Sequence, residues 1–105
     1  MTLMTLRDMG SLQRKLLVAL EHHPALFLAD LLARPYTNSQ YVSLRFAART
    51  LHARGLLNIW RGDLGGTNSV WVTRVGYECT RKQVPRLTAE VVIEVERINA
   101  TQSLR

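Results

Sequence analysis

The chain has 105 residues, a single cysteine and a formal net charge of +6, and 47% of its residues are apolar. That length suits one domain with a modest core, and a lone cysteine forms no internal disulfide and fits a reducing compartment. No apolar run reaches membrane-spanning length and the first residues lack the basic start of a secretion signal, so a cytoplasmic protein without a membrane partner is expected.

Ser11 can cap a first helix running to about His22, with Leu12, Leu16, Ala19 and Leu20 as its apolar stripe and Arg14, Lys15 and Glu21 outside. Pro24 ends it, because the residue before proline is pushed out of the helical region. The adjacent His22 and His23 point about 100° apart on a helix. With no third ligand near in sequence, no metal or other cofactor is expected. Ala25-Leu26-Phe27 reads as a very short extended piece, followed by a helix from about Leu28 to Ala33. That helix faces the core with Leu28, Leu31 and Leu32 and leaves Asp30 and Arg34 in solvent. Pro35-Tyr36-Thr37-Asn38 turns the chain.

The next helix opens on polar residues that can cap it and closes at Gly55, the residue that most easily takes a left-handed conformation. Tyr41, Leu44, Ala48 and Leu51 recur at intervals of three and four and share one face. Val42, Arg45, Phe46, Arg49 and Ala53 fall on or near the opposite one. After Gly55 the period changes to two. If Trp60 sits opposite Trp71, Ile59 faces Val72 and Arg61 faces Val70, which puts the aliphatics on one side of a hairpin and both indoles on the other. The indole pair is either a stacking platform for bases or a partner, or a packed pair supporting the hairpin. Gly62 to Asn68 is rich in turn residues. Thr73 then caps a helix through Val84, with Tyr77 and Val84 toward the core and Arg74, Arg81 and Lys82 exposed. After Pro85, Thr88 caps a last helix to about Gln102, within a C-terminal segment spanning 87–103. Leu87, Val91, Val92, Val95 and Ile98, and Leu104 beyond them, lie along one side. That row either dimerises the chain or folds back onto the first helix.

Charge is unevenly placed. Residues 1–38 sum to +1, residues 39–86 to +6 and residues 87–105 to −1, and arginine outnumbers lysine twelve to two. A basic excess confined to the central helix and hairpin suggests a polyanion partner, with arginine suited to phosphates and base edges.

A helix-turn-helix, then Leu51-His52-Ala53-Arg54-Gly55-Leu56-Leu57, a Gly-rich hairpin, and Val72-Thr73-Arg74-Val75-Gly76 follow one another in this chain. This order resembles the winged helix-turn-helix DNA-binding domains of small bacterial regulators of the MarR and PadR types, over about residues 11–80. The resemblance implies a mainly α domain with a small β-hairpin (α+β), a winged-helix core over 11–84 and an added C-terminal helix. It also implies that the hairpin is a wing, and that Thr73 and Gly76 match a Thr-x-x-Gly step opening the next helix. The central helix is then expected to enter the major groove of double-stranded DNA. Arg45 and Arg49 fork onto guanine or phosphate, and Gln40 and Ser43 reach base edges or backbone. Asn38 and Ser39 hold a phosphate at the helix start, and Arg61, Thr67 and Asn68 on the wing touch the backbone or minor groove. Phe46 either packs against the first helix or meets thymine methyls. The expected function is a transcriptional repressor acting as a homodimer through Leu87, Val91, Val92, Val95 and Ile98. A winged-helix module for protein contacts, or an accessory factor in replication or partition, is the alternative. No small-molecule inducer is implied. An enzyme is not expected, since no paired-carboxylate, Ser-His-Asp, Cys-His or phosphate-loop pattern is present.

Overall fold

The computed structural model describes residues 10–62 and 69–103. They form an α+β domain of three α-helices and a three-stranded antiparallel sheet. The helices are α1 (Ser11–His22), α2 (Asn38–Ala53) and α3 (Ala89–Ser103); the strands are β1 (Ala25–Phe27), β2 (Asn58–Gly62) and β3 (Ser69–Thr73). Two 3-10 turns, Leu28–Leu31 and Arg81–Gln83, complete the order. No helix among the described residues is long and apolar enough to cross a membrane.

The hairpin has the register the alternating pattern predicts: Ile59 pairs with Val72, Trp60 with Trp71 and Arg61 with Val70. Its consequence is two separate clusters. Ile59, Val70 and Val72 pack on the main core with Leu16, Leu20, Leu44, Ala48 and Leu51. On the reverse face, Trp60 and Trp71 pack with Ala25, Phe27, Val84 and Cys79. Trp71 is buried and meets Phe27 edge-on at 6.4 Å, while Trp60 donates its indole N–H to Thr73 Oγ1 at 2.9 Å. The indoles therefore pack with the sheet's second cluster and support it, Trp71 buried and Trp60 half-buried. β1 adds a third strand on the far side of β3, with Leu26 opposite Val72 and Phe27 opposite Trp71.

Several expectations are corrected here. Ser11 does not cap α1; Gly10 precedes the helix, and Ser11 accepts two bonds from Asn99 Nδ2 through its carbonyl and its hydroxyl. Lys15 is buried and donates to Leu31 O at 2.7 Å and Glu96 Oε1 at 3.0 Å, tying α1 to the first 3-10 turn and to α3. The helix expected from Leu28 to Ala33 is only a 3-10 turn ending at Leu31. Within it Asp30 is buried; its carboxylate accepts from Arg86 Nη2 at 2.7 Å and from the Leu87 backbone N–H at 3.3 Å. A buried carboxylate requires such partners, and both come from a segment more than fifty residues away.

The helix expected from Thr73 to Val84 is absent. Thr73 is the fully buried last residue of β3, and the Arg74 N–H extends the pairing by donating to Pro24 O at 2.9 Å. Gly76 sits at φ 87°, a left-handed conformation that closes a turn and cannot continue a right-handed helix. Arg74 donates to Leu20 O and Glu21 O at the end of α1, where free carbonyls and the helix dipole favour a cation. Tyr77, expected toward the core, is 40% exposed, whereas Val84 is buried as expected.

α3 is N-capped by Thr88, as expected, and lies on α1. Val92 and Val95 are buried, and Leu87, Val91 and Ile98 pack beside them against the main core. Of the row proposed for dimerisation, Leu87, Val91, Val95 and Ile98 thus pack on the core of their own chain; Leu104 lies outside the described residues. Val95 is 1% exposed and Ile93 is 63% exposed. Val95→Ala is therefore expected to cost about 2 kcal/mol, the range for removing buried aliphatic atoms, and Val95→Asp to abolish the thermal transition. Ile93→Ala should stay within about 0.5 kcal/mol. Melting curves of the three variants check the seam.

Candidate nucleic-acid interface

α2 is set up from both ends by local chemistry. At its start Thr37 Oγ1 accepts the Gln40 N–H at 3.1 Å and Gln40 Oε1 accepts the Thr37 N–H at 2.7 Å, a reciprocal capping box. At its end Gly55 sits at φ 75°; its N–H bonds to His52 O and the Leu56 N–H bonds to Leu51 O. That pair of bonds is the Schellman closure, and it needs a residue tolerant of positive φ. Leu44, Ala47, Ala48 and Leu51 fill the buried side, so the rest of the helix surface is turned toward the hairpin and solvent.

Arg45, Arg49 and His52 of α2 and Arg61 of β2 line one cleft of about 310 Å³, floored by Leu28, Ala48, Ile59 and Val70. A neighbouring hollow of about 280 Å³ continues it along the helix past Tyr41, Arg45, Arg61, Gly62 and Ser69. The Arg45 guanidinium lies 6.0 Å from the Tyr41 ring centre, at the outer limit of a cation–π contact. Burial pushes the Tyr41 hydroxyl above its ordinary pKa, although Arg45 and Arg61 act against that, so it remains a neutral donor.

Among the described residues no carboxylate pairs with Arg45, Arg49 or Arg61. The ion pairs join Lys15 to Glu96, Arg86 to Asp30 and Arg97 to Glu94, all away from this cleft. Guanidinium groups gathered around one cleft repel one another and hold a positive potential that an anion relieves.

The remaining expected contact residues divide by position. Asn38, Ser39 and Ser43 are exposed on the first turns of α2, and the first-turn N–H groups of Asn38 and Ser39 have no backbone acceptor. That leaves them able to bind a phosphate. Gln40 is exposed, but its amide oxygen is engaged in the cap, so only the amide nitrogen remains for another partner. Thr67 and Asn68 lie outside the described residues. Phe46 does not reach α1; it is 69% exposed, with Val42 beside it at 52%.

Residue patterning alone did not bring His52 into the group. It follows Arg45 and Arg49 by seven and three residues, the helical spacing that could have placed it there. Its Nδ1 lies 3.1 Å from Leu57 O. Among the described residues no group of three or more histidine, cysteine, aspartate or glutamate side chains gathers to hold a metal ion.

With the fold and this face described, comparison with protein-family models, curated proteins and solved structures finds no match to the chain.

Cys79 packs beside the indole cluster, and burial raises its thiol above the ordinary value. Since the thiolate is the reactive form, iodoacetamide at neutral pH should label Cys79 several-fold more slowly than free cysteine. The rate should climb only above the usual thiol range. Fast neutral labelling would contradict the packed assignment.

Proposed function

We propose that the chain is a winged helix-turn-helix domain that binds double-stranded DNA and acts as a transcriptional repressor. The observation that carries this reading is the convergence of Arg45, Arg49 and Arg61 beside the solvent face of α2, without a carboxylate partner among the described residues. The element order supports it too. A helix, a short strand, a helical turn, a second helix and then two strands follow one another, and β2, at the edge of the β1-β3-β2 sheet, lies against α2. In such a domain α2 lies in the major groove and the hairpin rests on the flanking backbone. Arg49 and Arg45 then reach guanine edges or phosphates, Asn38 and Ser39 anchor a phosphate at the helix start, and Arg61 holds the backbone from the wing.

A single recognition helix reads few base pairs, so binding as a homodimer to half-sites about one DNA turn apart belongs to the same proposal. Because Val95 is buried in the main core and Leu87, Val91 and Ile98 pack against it, the two-fold contact is assigned to other surface. The exposed Val42 and Phe46 favour the second reading, a winged-helix module for protein contacts. The cationic surroundings of that pair weigh toward DNA.

Selection of bound sites from random duplex DNA tests the function. An enriched inverted repeat supports it, and an absence of enrichment favours the protein-contact reading. On an enriched site the affinity should fall with salt at a log–log slope near −0.9 per neutralised phosphate, and Arg61→Ala should flatten that slope by about one unit. Arg49→Ala should cost about 1–3 kcal/mol and relax preference at one base pair. Titrations at several salt concentrations measure both.

A further inference from the structure

The outward crest of α2 is not uniformly cationic. Val42 and Phe46 stand one helical turn apart and are 52% and 69% exposed, while Arg45 and Arg49 flank Phe46 one place before and three places after it. Ser39 and Ser43 border the crest on the side away from the hairpin, and both are exposed. Among the described residues nothing covers this aromatic ring, which lies on the face of α2 opposite the one that supplies the core. The Phe46 carbonyl takes an extra bond from Thr50 Oγ1 at 3.0 Å, but among the described residues the ring itself meets no other aromatic ring.

We infer that Phe46, with Val42 beside it, is a specificity-determining contact that reads the C5-methyl group of thymine in the major groove. This rests on the DNA-binding reading above. The major groove offers hydrogen-bonding edges almost everywhere, and the thymine methyl is the one apolar group projecting into it. A strip two side chains long, bordered on the hairpin side by guanidinium groups that seek phosphate or guanine and on the other side by Ser39 and Ser43, matches a thymine methyl among polar edges. The apolar core of a stable protein interface is broader and depleted of charge at its centre. Here Arg45 and Arg49, neighbours of Phe46 on the same helix, line the adjoining cleft with no carboxylate pairing them among the described residues. The occupant is therefore duplex DNA, and the base it selects at this position is thymine.

The test uses the duplex enriched by the selection, remade with each thymine in turn replaced by deoxyuridine. That change keeps base pairing and backbone charge and removes one methyl group. For the full chain, affinity should fall about fourfold at one or two thymines, the loss for one buried methyl, and stay level at the others. Phe46→Ala should bind the thymine duplex more weakly and respond equally to both bases at those positions, whereas Phe46→Leu should keep part of the discrimination. Because Phe46 lies outside the core, both variants should melt as the parent chain does. Salt-dependent binding with no uracil effect at any position would overturn the thymine assignment while leaving the DNA-binding reading in place. The same holds if Phe46→Ala leaves the uracil effect unchanged, or if it leaves affinity untouched; the strip is then free to meet a protein. Absence of any salt-dependent duplex binding would instead overturn the reading on which this inference stands.

Discussion

The structure depends first on the position of β3, the central strand. It pairs with β1 on one edge and β2 on the other, so its backbone bonds join the first third of the chain to the hairpin. Its side chains alternate between two environments, Val70 and Val72 toward the main core and Trp71 toward the second cluster. A shift of one residue would exchange those faces, placing an indole in the aliphatic core and valines among the aromatics. Thr73 closes the arrangement: wholly buried, it accepts the Trp60 indole N–H and so fixes the last pair of the hairpin.

That register determines the candidate interface as well. Arg61 pairs with Val70 on β2, and its place on the strand sets it across a cleft from Arg45 and Arg49 of α2. The helix is located independently, by the capping box at Thr37 and the left-handed closure at Gly55. Two elements positioned by separate local bonds thus face one another, and this places the three guanidinium groups around one cleft.

The acidic side chains are distributed to match. Asp30 binds Arg86 and the Leu87 N–H, Glu96 binds Lys15 and Glu94 binds Arg97. These contacts fasten α3 and the segment before it to α1 and the first 3-10 turn. None of these three carboxylates lines the cleft. The same segregation that joins the chain's end to its beginning leaves the positive potential beside α2 unneutralised among the described residues.

The features governed by neighbours a few residues apart were legible in the amino-acid order alone. The α1 and α2 stripes, the end of α2 at Gly55, the Trp60–Trp71 register and the Thr88 cap rest on local periodicity and backbone preference. The basic face of α2 was legible for the same reason, since residues three and four apart share a face whatever the helix packs on. Tertiary structure decided the rest. Asp30 and Lys15 look like surface charges until Arg86, Leu87, Leu31 and Glu96 arrive from distant segments. Thr73 and Gly76 resemble a helix start until β1 takes Thr73 into a third strand and Arg74 is drawn to the end of α1. The apolar row of α3 suits a second chain or the first helix equally well by pattern, and only packing placed it on α1. His52 joined the arginines once the hairpin was set against α2. Hydrophobic periodicity specifies which face is buried but not which partner buries it, and a charged side chain changes environment only when its distant partner is in place.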